Sequence, residues 1–434
     1  MLTYELDRTI REPLYVQLYN FIRMDIESGV LTAGSKLPSK RSFAQHLGIS
    51  LITVENSYSQ LLTEGYIRSE VKKGYYVEKI EKKMETSEIF EPEETENEML
   101  EDSDNKLFPF TIWAKIMRDE LSENQTKLLT KPPFEGVYEL RKAISEHLRN
   151  FRNIQASPNQ IIIGAGTEYL YMLINILFGS NYIFGLEDPG YSKIANIYNE
   201  YNIKCEYIPM MEDGMDVDYL KKNKVDIIHI SPSHHFPTGA VTSIGKRYAL
   251  LEWASKSPDR YIIEDDYDSE FRLSGKPISS LYGIDVIDKV IYMNTFSKSL
   301  ASTIRISYMV LPKSLMKRFH ERLGFFSCPV STFEQHTLAR FISEGYFERH
   351  INRMRRHYKK RKEELFEDMK KYDIFENSVI SGENSGLHCV VKFDTQKTDE
   401  ELLEEVVSYG FKASMMKDYY FINREDTHTL VFYY

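Results

Sequence analysis

The sequence predicts a small helical domain closed by a β-hairpin, an acidic connecting segment, and a large α/β domain with a mostly parallel sheet. Three observations carry this. Residues 1–79 show helical apolar spacing punctuated by serines and glycines at capping positions. Residues 80–106 hold three basic against eleven acidic residues and almost no apolar periodicity, which reads as a solvated, extended linker. Residues 107–434 alternate short apolar runs with helical patterns, and each run ends in polar or glycine-containing sequence.

In the first domain, Pro13 to Val30 reads as a helix, with apolar residues at Leu14, Leu18, Phe21, Ile22 and Ile26. Pro13 suits its first turn and Gly29 its end. Ser39 caps a short helix that runs to Leu47 and stops at Gly48. Ser50 caps the next, which runs to about Glu64. Two short helices joined by Gly48-Ile49-Ser50 make a helix-turn-helix. Tyr66-Ile67-Arg68 and Tyr75-Tyr76-Val77 are strand-like, and the turn between them, Lys72-Lys73-Gly74, makes the tip of a wing.

This unit suits DNA. Ser39, Lys40 and Arg41 open one helix, and Ser50, Thr53 and Asn56 lie on the first turns of the next, which would enter a major groove N-terminus first. Lys72, Lys73 and Gly74 at the wing tip would reach backbone phosphate or the minor groove. The net charge of −10 for the whole chain argues against nucleic acid. Residues 1–79 alone carry ten basic and nine acidic residues, so the balance lies elsewhere in the chain.

The length of 434 residues suggests two or three domains, and a composition 42% hydrophobic and 13% aromatic supports a sizeable core. The three cysteines, Cys205, Cys328 and Cys389, have neither metal-ligand spacing nor a framework pattern. A reducing cytoplasm is therefore expected. No apolar run is long enough to span a bilayer, and Met1 to Glu5 shows no signal pattern.

In the large domain, Gln160-Ile161-Ile162-Ile163 reads as a buried strand, followed by Gly164-Ala165-Gly166-Thr167-Glu168 and a helix. Strand, glycine turn and helix N-terminus can hold an anion. Further strands are expected at Tyr182–Leu186, Ile227–Ile230, Tyr261–Glu264 and Val290–Met293. A ligand should sit beyond their C-terminal ends. There the chain carries Tyr191, able to stack on an aromatic ring, and the loop Ser231–Gly239 with paired His234 and His235. Adjacent histidines on one loop chelate poorly, so a metal is not expected. The acidic run Asp265-Asp266-Tyr267-Asp268-Ser269-Glu270 follows the third of these strands. A carboxylate there could pair with a protonated pyridine nitrogen.

The fourth delivers Thr295-Phe296-Ser297-Lys298-Ser299-Leu300, with Arg305 seven residues beyond Lys298. A lysine after a buried strand, among hydroxyls and an arginine, places an amine beside a phosphate site. A Schiff base with pyridoxal phosphate requires that arrangement.

Several stretches resemble known families. Lys36-Leu37-Pro38-Ser39-Lys40-Arg41-Ser42-Phe43-Ala44 resembles the "LPSxRxLA" signature of GntR-type winged-helix regulators. Ile49 to Leu61 resembles their "vSRxTVxxAYxxL", and Gly74-Tyr75-Tyr76-Val77 their "GTFV". Leu51 stands where that family usually has arginine, so operator preference does not carry over. The strand-end stretches resemble fold-type I pyridoxal-phosphate enzymes of the aminotransferase class. More narrowly, Ser231–Gly239, Glu264–Phe271, Thr295–Leu300, Gly345–Arg355 and Gly386–His388 resemble MocR-type regulators, which fuse the two modules.

The resemblance implies a large fold-type I α/β domain with a small C-terminal α+β subdomain, and pyridoxal 5′-phosphate as cofactor. It implies that Lys298 forms the internal aldimine, that Asp265 pairs the pyridine nitrogen with Asp266 as its rival, and that Tyr267 meets the ring phenolate. Gly166, Thr167, Thr295, Ser297 and Arg305 would bind phosphate, and Tyr191 would stack on the ring. A homodimer is implied, since such sites are usually completed by the partner subunit.

The expected organisation is a winged helix at 1–79, a linker at 80–106 and an effector domain at 107–434. The expected function is regulation of transcription at double-stranded operator DNA, with pyridoxal phosphate and/or an amino compound sensed through an aldimine at Lys298. The alternatives are an active aminotransferase with an attached DNA-binding domain, and a binding module without cofactor chemistry. Two departures point to slow or no steady transamination. Phe236 replaces the asparagine that true aminotransferases carry before Pro-Thr-Gly. The stretch His428–Tyr434 shows no carboxylate-binding arginine in register, Arg424 being nearby and Lys193 a substitute cation.

Overall fold

The computed structural model describes residues 2–80, 107–273, 278–382 and 386–434, in two compact units. Apart from Ile80, the acidic segment 80–106 lies outside the described residues.

The first unit contains helices Leu14–Glu27, Lys40–Leu47 and Leu51–Thr63, followed by antiparallel strands Ile67–Glu70 and Gly74–Val77. The first helix is shorter than expected at both ends, because Pro13 is its N-cap and its C-cap is Ser28. Ser39 and Ser50 cap the next two helices, accepting from the amides of Ser42 and Thr53. Gly48 closes the second helix in the left-handed region at φ 64°, a conformation glycine adopts without a Cβ clash. Leu18, Ile22, Phe43, Val54, Tyr58, Leu61, Ile67 and Val77 form the core. The Tyr58 hydroxyl, carried into that core, donates to the Pro38 carbonyl at 3.0 Å.

The second unit is built on an eight-stranded sheet. Its spatial order is Ile161–Gly164, Ser307–Val310, Val290–Thr295, Tyr261–Asp265, Ile227–Ile230, Ile183–Asp188, Lys204–Met211 and Gly214–Met215. The five strands from Val290–Thr295 to Lys204–Met211 in that order pair in parallel. Ser307–Val310 runs antiparallel to both of its neighbours, so Ile161–Gly164 points the same way as the parallel set. The strands Lys204–Met211 and Ser307–Val310, and the two-residue Gly214–Met215, were not expected. The first alternates polar and apolar residues along a partly exposed length, and the second is only four residues long.

Apolar residues cover both faces of the sheet. Ile162, Ile263, Ile291 and Met309 pack with Leu170, Leu173, Ile174 and Leu177 of helix Thr167–Phe178. On the opposite face Ile228, Ile262 and Val290 pack with Leu250 and Trp253 of helix Ile244–Ser255. Each fully buried aliphatic side chain contributes about 1.5–3 kcal/mol.

A C-terminal four-stranded antiparallel sheet, ordered Val379–Ser381, His388–Lys392, Thr429–Tyr433 and Ala413–Met415, packs on helix Asp399–Ser408. It is the expected small α+β subdomain. The long helix Tyr346–Met369 buries Phe347, Ile351, Met354 and Tyr358. Its His350 Nε2 meets the Ser299 carbonyl at 2.9 Å, which ties the helix to the turn carrying Lys298. No helix among the described residues is long and apolar enough to cross a membrane.

Candidate functional site

The C-terminal ends of the parallel strands converge on a cavity of about 310 Å³. Its lining includes Thr167, Glu168, Tyr191, Lys193, Phe236, Asp265, Tyr267, Thr295, Ser297, Lys298 and Arg305. All the sequence-predicted cofactor residues except Gly166 are in that wall, and Gly166 is the N-cap of the helix that supplies Thr167.

Strand alternation separates the two neighbouring aspartates. Asp265 projects into the cavity, beside the buried face that carries Ile263. Its Oδ2 accepts from the Tyr171 hydroxyl at 2.7 Å and lies 3.5 Å from His229 Nε2. Its Oδ1 is buried without a hydrogen-bond partner. Asp266 projects the other way. Its Oδ2 accepts from Arg152 Nη2 at 2.6 Å and from the Tyr292 hydroxyl at 2.7 Å, and it does not line the cavity.

Tyr171 and His229, which hold Asp265, were missed by the sequence reading. Tyr171 stands one helical turn after Thr167, which was the available signal. The Tyr267 hydroxyl is buried, and burial with the nearby Asp268 holds its pKa well above the usual tyrosine value.

Lys298 sits in the short helix Phe296–Ser299, straight after strand Val290–Thr295. The Thr295 side chain caps this turn by accepting from the Ser297 amide at 3.2 Å. The Ser297 hydroxyl donates to the Ile304 carbonyl at 2.9 Å. Both hydroxyls therefore shape the lysine's turn. Gly166 has φ +86°, and a Cβ there would collide with Arg305 Nη2 and meet Glu168 Oε2 at 2.8 Å. Arg305 Nη2 donates to Glu168 Oε2 at 2.6 Å, and Lys193 Nζ donates to Glu168 Oε1.

Tyr191 is 46% exposed at the cavity wall, edge-on to Phe236. Phe236 also meets His388 and Tyr419 edge-on, so the position is filled by packed aromatic surface with no hydrogen-bonding group. Arg424 is exposed, donates to the Tyr420 carbonyl, and is not in the cavity wall. His234 pairs with Asp268 at 2.7 Å and His235 with Thr238 at 2.8 Å.

Glu187, also in the wall, is buried and accepts from the Ser231 amide at 3.0 Å. Burial pushes its carboxyl up to about 8. The folded state therefore binds a proton more readily than the unfolded chain. Stability that is full below the ordinary carboxylate range is lost as pH rises toward about 8. Glu187→Gln is expected to flatten this part of a stability-against-pH curve measured by urea denaturation. An unchanged slope would contradict the assignment.

On the first unit, Arg41, Asn56, Lys72 and Lys73 are exposed. Lys40 Nζ lies 3.4 Å from Glu55 and 5.5 Å from the Tyr75 ring centroid, and Lys73 lies 3.4 Å from Glu70. Ser39 and Ser50 act as caps, and the Ser50 and Thr53 hydroxyls are 2.7 Å apart. Leu51 and Ile52 are also exposed on the first turn of helix Leu51–Thr63, at 38% and 67%. The sequence reading gave Ile52 no role.

A winged helix-turn-helix and an α/β domain with a lysine, a buried carboxylate and an anion cradle at its strand ends define a class. It is a DNA-binding regulator module joined to an aminotransferase-type domain. Residues 14–77 match the bacterial regulatory proteins of the gntR family, and residues 95–416 match aminotransferase class I and II. The chain is 37% identical over 417 residues to the HTH-type transcriptional regulator YdeL of Bacillus subtilis, covering 94% of this chain and 90% of that one. It is 30% identical over 440 residues to the probable rhizopine catabolism regulatory protein MocR of Rhizobium meliloti, covering 96% and 89%. The structure of Pyrococcus horikoshii kynurenine aminotransferase, in complex with PMP, superposes with a TM-score of 0.66 at 26% identity, covering 76% and 83%. The chain belongs to the MocR-type transcriptional regulators.

The cofactor of this fold is pyridoxal 5′-phosphate, and the residues fit it. The cavity is lined by the Lys298 amine, by Asp265, whose Oδ1 has no hydrogen-bond partner, by Tyr267, and by Arg305, a cation beside a helix N-terminus.

Proposed function

We propose that residues 1–79 bind double-stranded operator DNA and that residues 107–434, as a homodimer, hold pyridoxal phosphate and respond to it or to an amino compound. The segment 80–106 joins the two. One observation carries the reading: Asp265, whose Oδ1 has no hydrogen-bond partner, lines the same cavity as Lys298. When bound, pyridoxal phosphate supplies an aldehyde that amines take up covalently and a ring that accepts electrons. Lys298 provides the amine. Asp265, held by Tyr171 and His229, would pair with the ring nitrogen. Tyr267 offers a hydroxyl to the ring oxygen, and Tyr191 covers the ring face. Gly166, Thr167, Thr295, Ser297 and Arg305 receive the phosphate.

Phe236 supports regulation over turnover. It puts packed aromatic surface where an aminotransferase has a hydrogen-bonding amide, so proton placement around the ring is less constrained.

On the first unit, Asn56 reads base edges, and Arg41, Lys72 and Lys73 meet phosphates. Lys40 is partly engaged by Glu55 and Tyr75, and Ser39, Ser50 and Thr53 present their helix N-termini to the backbone. Gly74 lets the wing turn close at φ +120°. The test is to incubate the purified protein with a genomic fragment pool, with and without pyridoxal phosphate, and to sequence what it retains. A narrow set of fragments is expected, with retention altered by the cofactor. Indiscriminate retention would refute the regulatory reading.

A further inference from the structure

The two cations on the phosphate side of the cavity already have an anion. Glu168, on the first turn of helix Thr167–Phe178, accepts from Arg305 at 2.6 Å through Oε2 and from Lys193 through Oε1. The groups are accessible: Arg305 and Lys193 are each 49% exposed and Glu168 is 33% exposed. The carboxylate stands at the positive end of a helix, beside Gly166, where an incoming phosphate has the same electrostatic attractions.

We infer that Glu168 is a resident counter-anion of the phosphate cradle, which weakens the hold on the cofactor's phosphate and keeps the cofactor exchangeable. The inference rests on the reading of this cavity as the pyridoxal-phosphate site. A phosphate that takes Arg305 must displace Glu168 from it. The displaced carboxylate stays tethered to the same helical turn, close enough to repel the phosphate. At a few ångströms and a partly exposed site, like charges oppose each other by enough to shift affinity by about tenfold or more. Lys193 provides a second partner, so the carboxylate can move aside without leaving the site. A regulator that reports cofactor concentration needs such release, because a cofactor that never dissociates reports nothing. Glutamine in place of Glu168 keeps the length and the hydrogen-bonding oxygen and removes only the charge.

The test compares apo wild type, Glu168→Gln and Glu168→Ala in titrations with pyridoxal 5′-phosphate and, separately, with unphosphorylated pyridoxal, read by absorbance and tyrosine fluorescence. Both variants are expected to bind pyridoxal 5′-phosphate at least about tenfold more tightly than wild type, with pyridoxal affinity little changed. Equal or weaker binding of pyridoxal 5′-phosphate by both variants overturns the inference while leaving the cofactor site intact. An equal gain for both ligands also overturns it, since the effect would then lie outside the phosphate. If none of the three proteins binds pyridoxal 5′-phosphate, the cofactor reading falls and this inference falls with it.

Discussion

A Lys298→Ala protein is expected to retain no cofactor after borohydride reduction and denaturation, where wild type retains about one per chain. The lysine lies on a one-turn helix whose position is over-determined. Thr295 caps it, Ser297 ties it to the Ile304 carbonyl, and His350 ties its end to the long helix Tyr346–Met369. Removing the side chain beyond Cβ leaves these bonds in place, so the fold should persist and only the covalent hold should go. The charged and hydroxyl groups proposed to receive the ring and phosphate remain, and weak reversible binding should survive. Mass spectrometry of reduced, digested protein checks this directly. A reduced cofactor found on another lysine, such as Lys193, would reassign the amine.

The second large effect lies behind the sheet. Arg152→Ala is expected to lower the stability of the large domain by about 3–5 kcal/mol. Arg152 and Asp266 are an ion pair with side chains 6% and 0% exposed, 2.6 Å apart. Arg152 also donates to the Ile278 carbonyl at 2.7 Å and to Ser233 at 3.2 Å. Removing it leaves the Asp266 side chain buried with the Tyr292 hydroxyl as its one remaining hydrogen-bond donor among the described residues, and Asp266 Oδ1 already has no partner. The cost comes from the stranded charge more than from the lost contact. Arg152→Met with Asp266→Leu should therefore recover most of the stability that Arg152→Ala loses. Chemical denaturation followed by circular dichroism gives both numbers. A loss below about 1 kcal/mol for Arg152→Ala would show that Asp266 is not dependent on the pair.

The sequence announced the local features and was silent on the long-range ones. Ser39, Gly48, Ser50 and Gly166 could be placed because caps and left-handed turns are written within four or five residues. Four of the five parallel strands could be placed because each carries a continuous buried apolar run, whereas Lys204–Met211, partly exposed and alternating in polarity, could not. Asp265 and Asp266 remained rivals, since only the strand's facing decides between them, and a run of acidic residues carries no facing signal. Tyr171 reaches Asp265 across 94 positions, and Glu168 reaches Arg305 across 137. No spacing rule covers such distances. Leu51 was singled out only because it departs from a family motif, and the exposure of Ile52 beside it was not written in any local pattern.

On the proposed function, the state of the cavity around Lys298 sets how tightly the winged helix holds DNA. Fluorescence anisotropy with one retained operator fragment, at fixed salt and across a range of pyridoxal phosphate, tests it most directly. An affinity change of about fivefold or more is expected for wild type and none for Lys298→Ala. Identical affinity for wild type with and without pyridoxal phosphate, under conditions where the cofactor is bound, would contradict it.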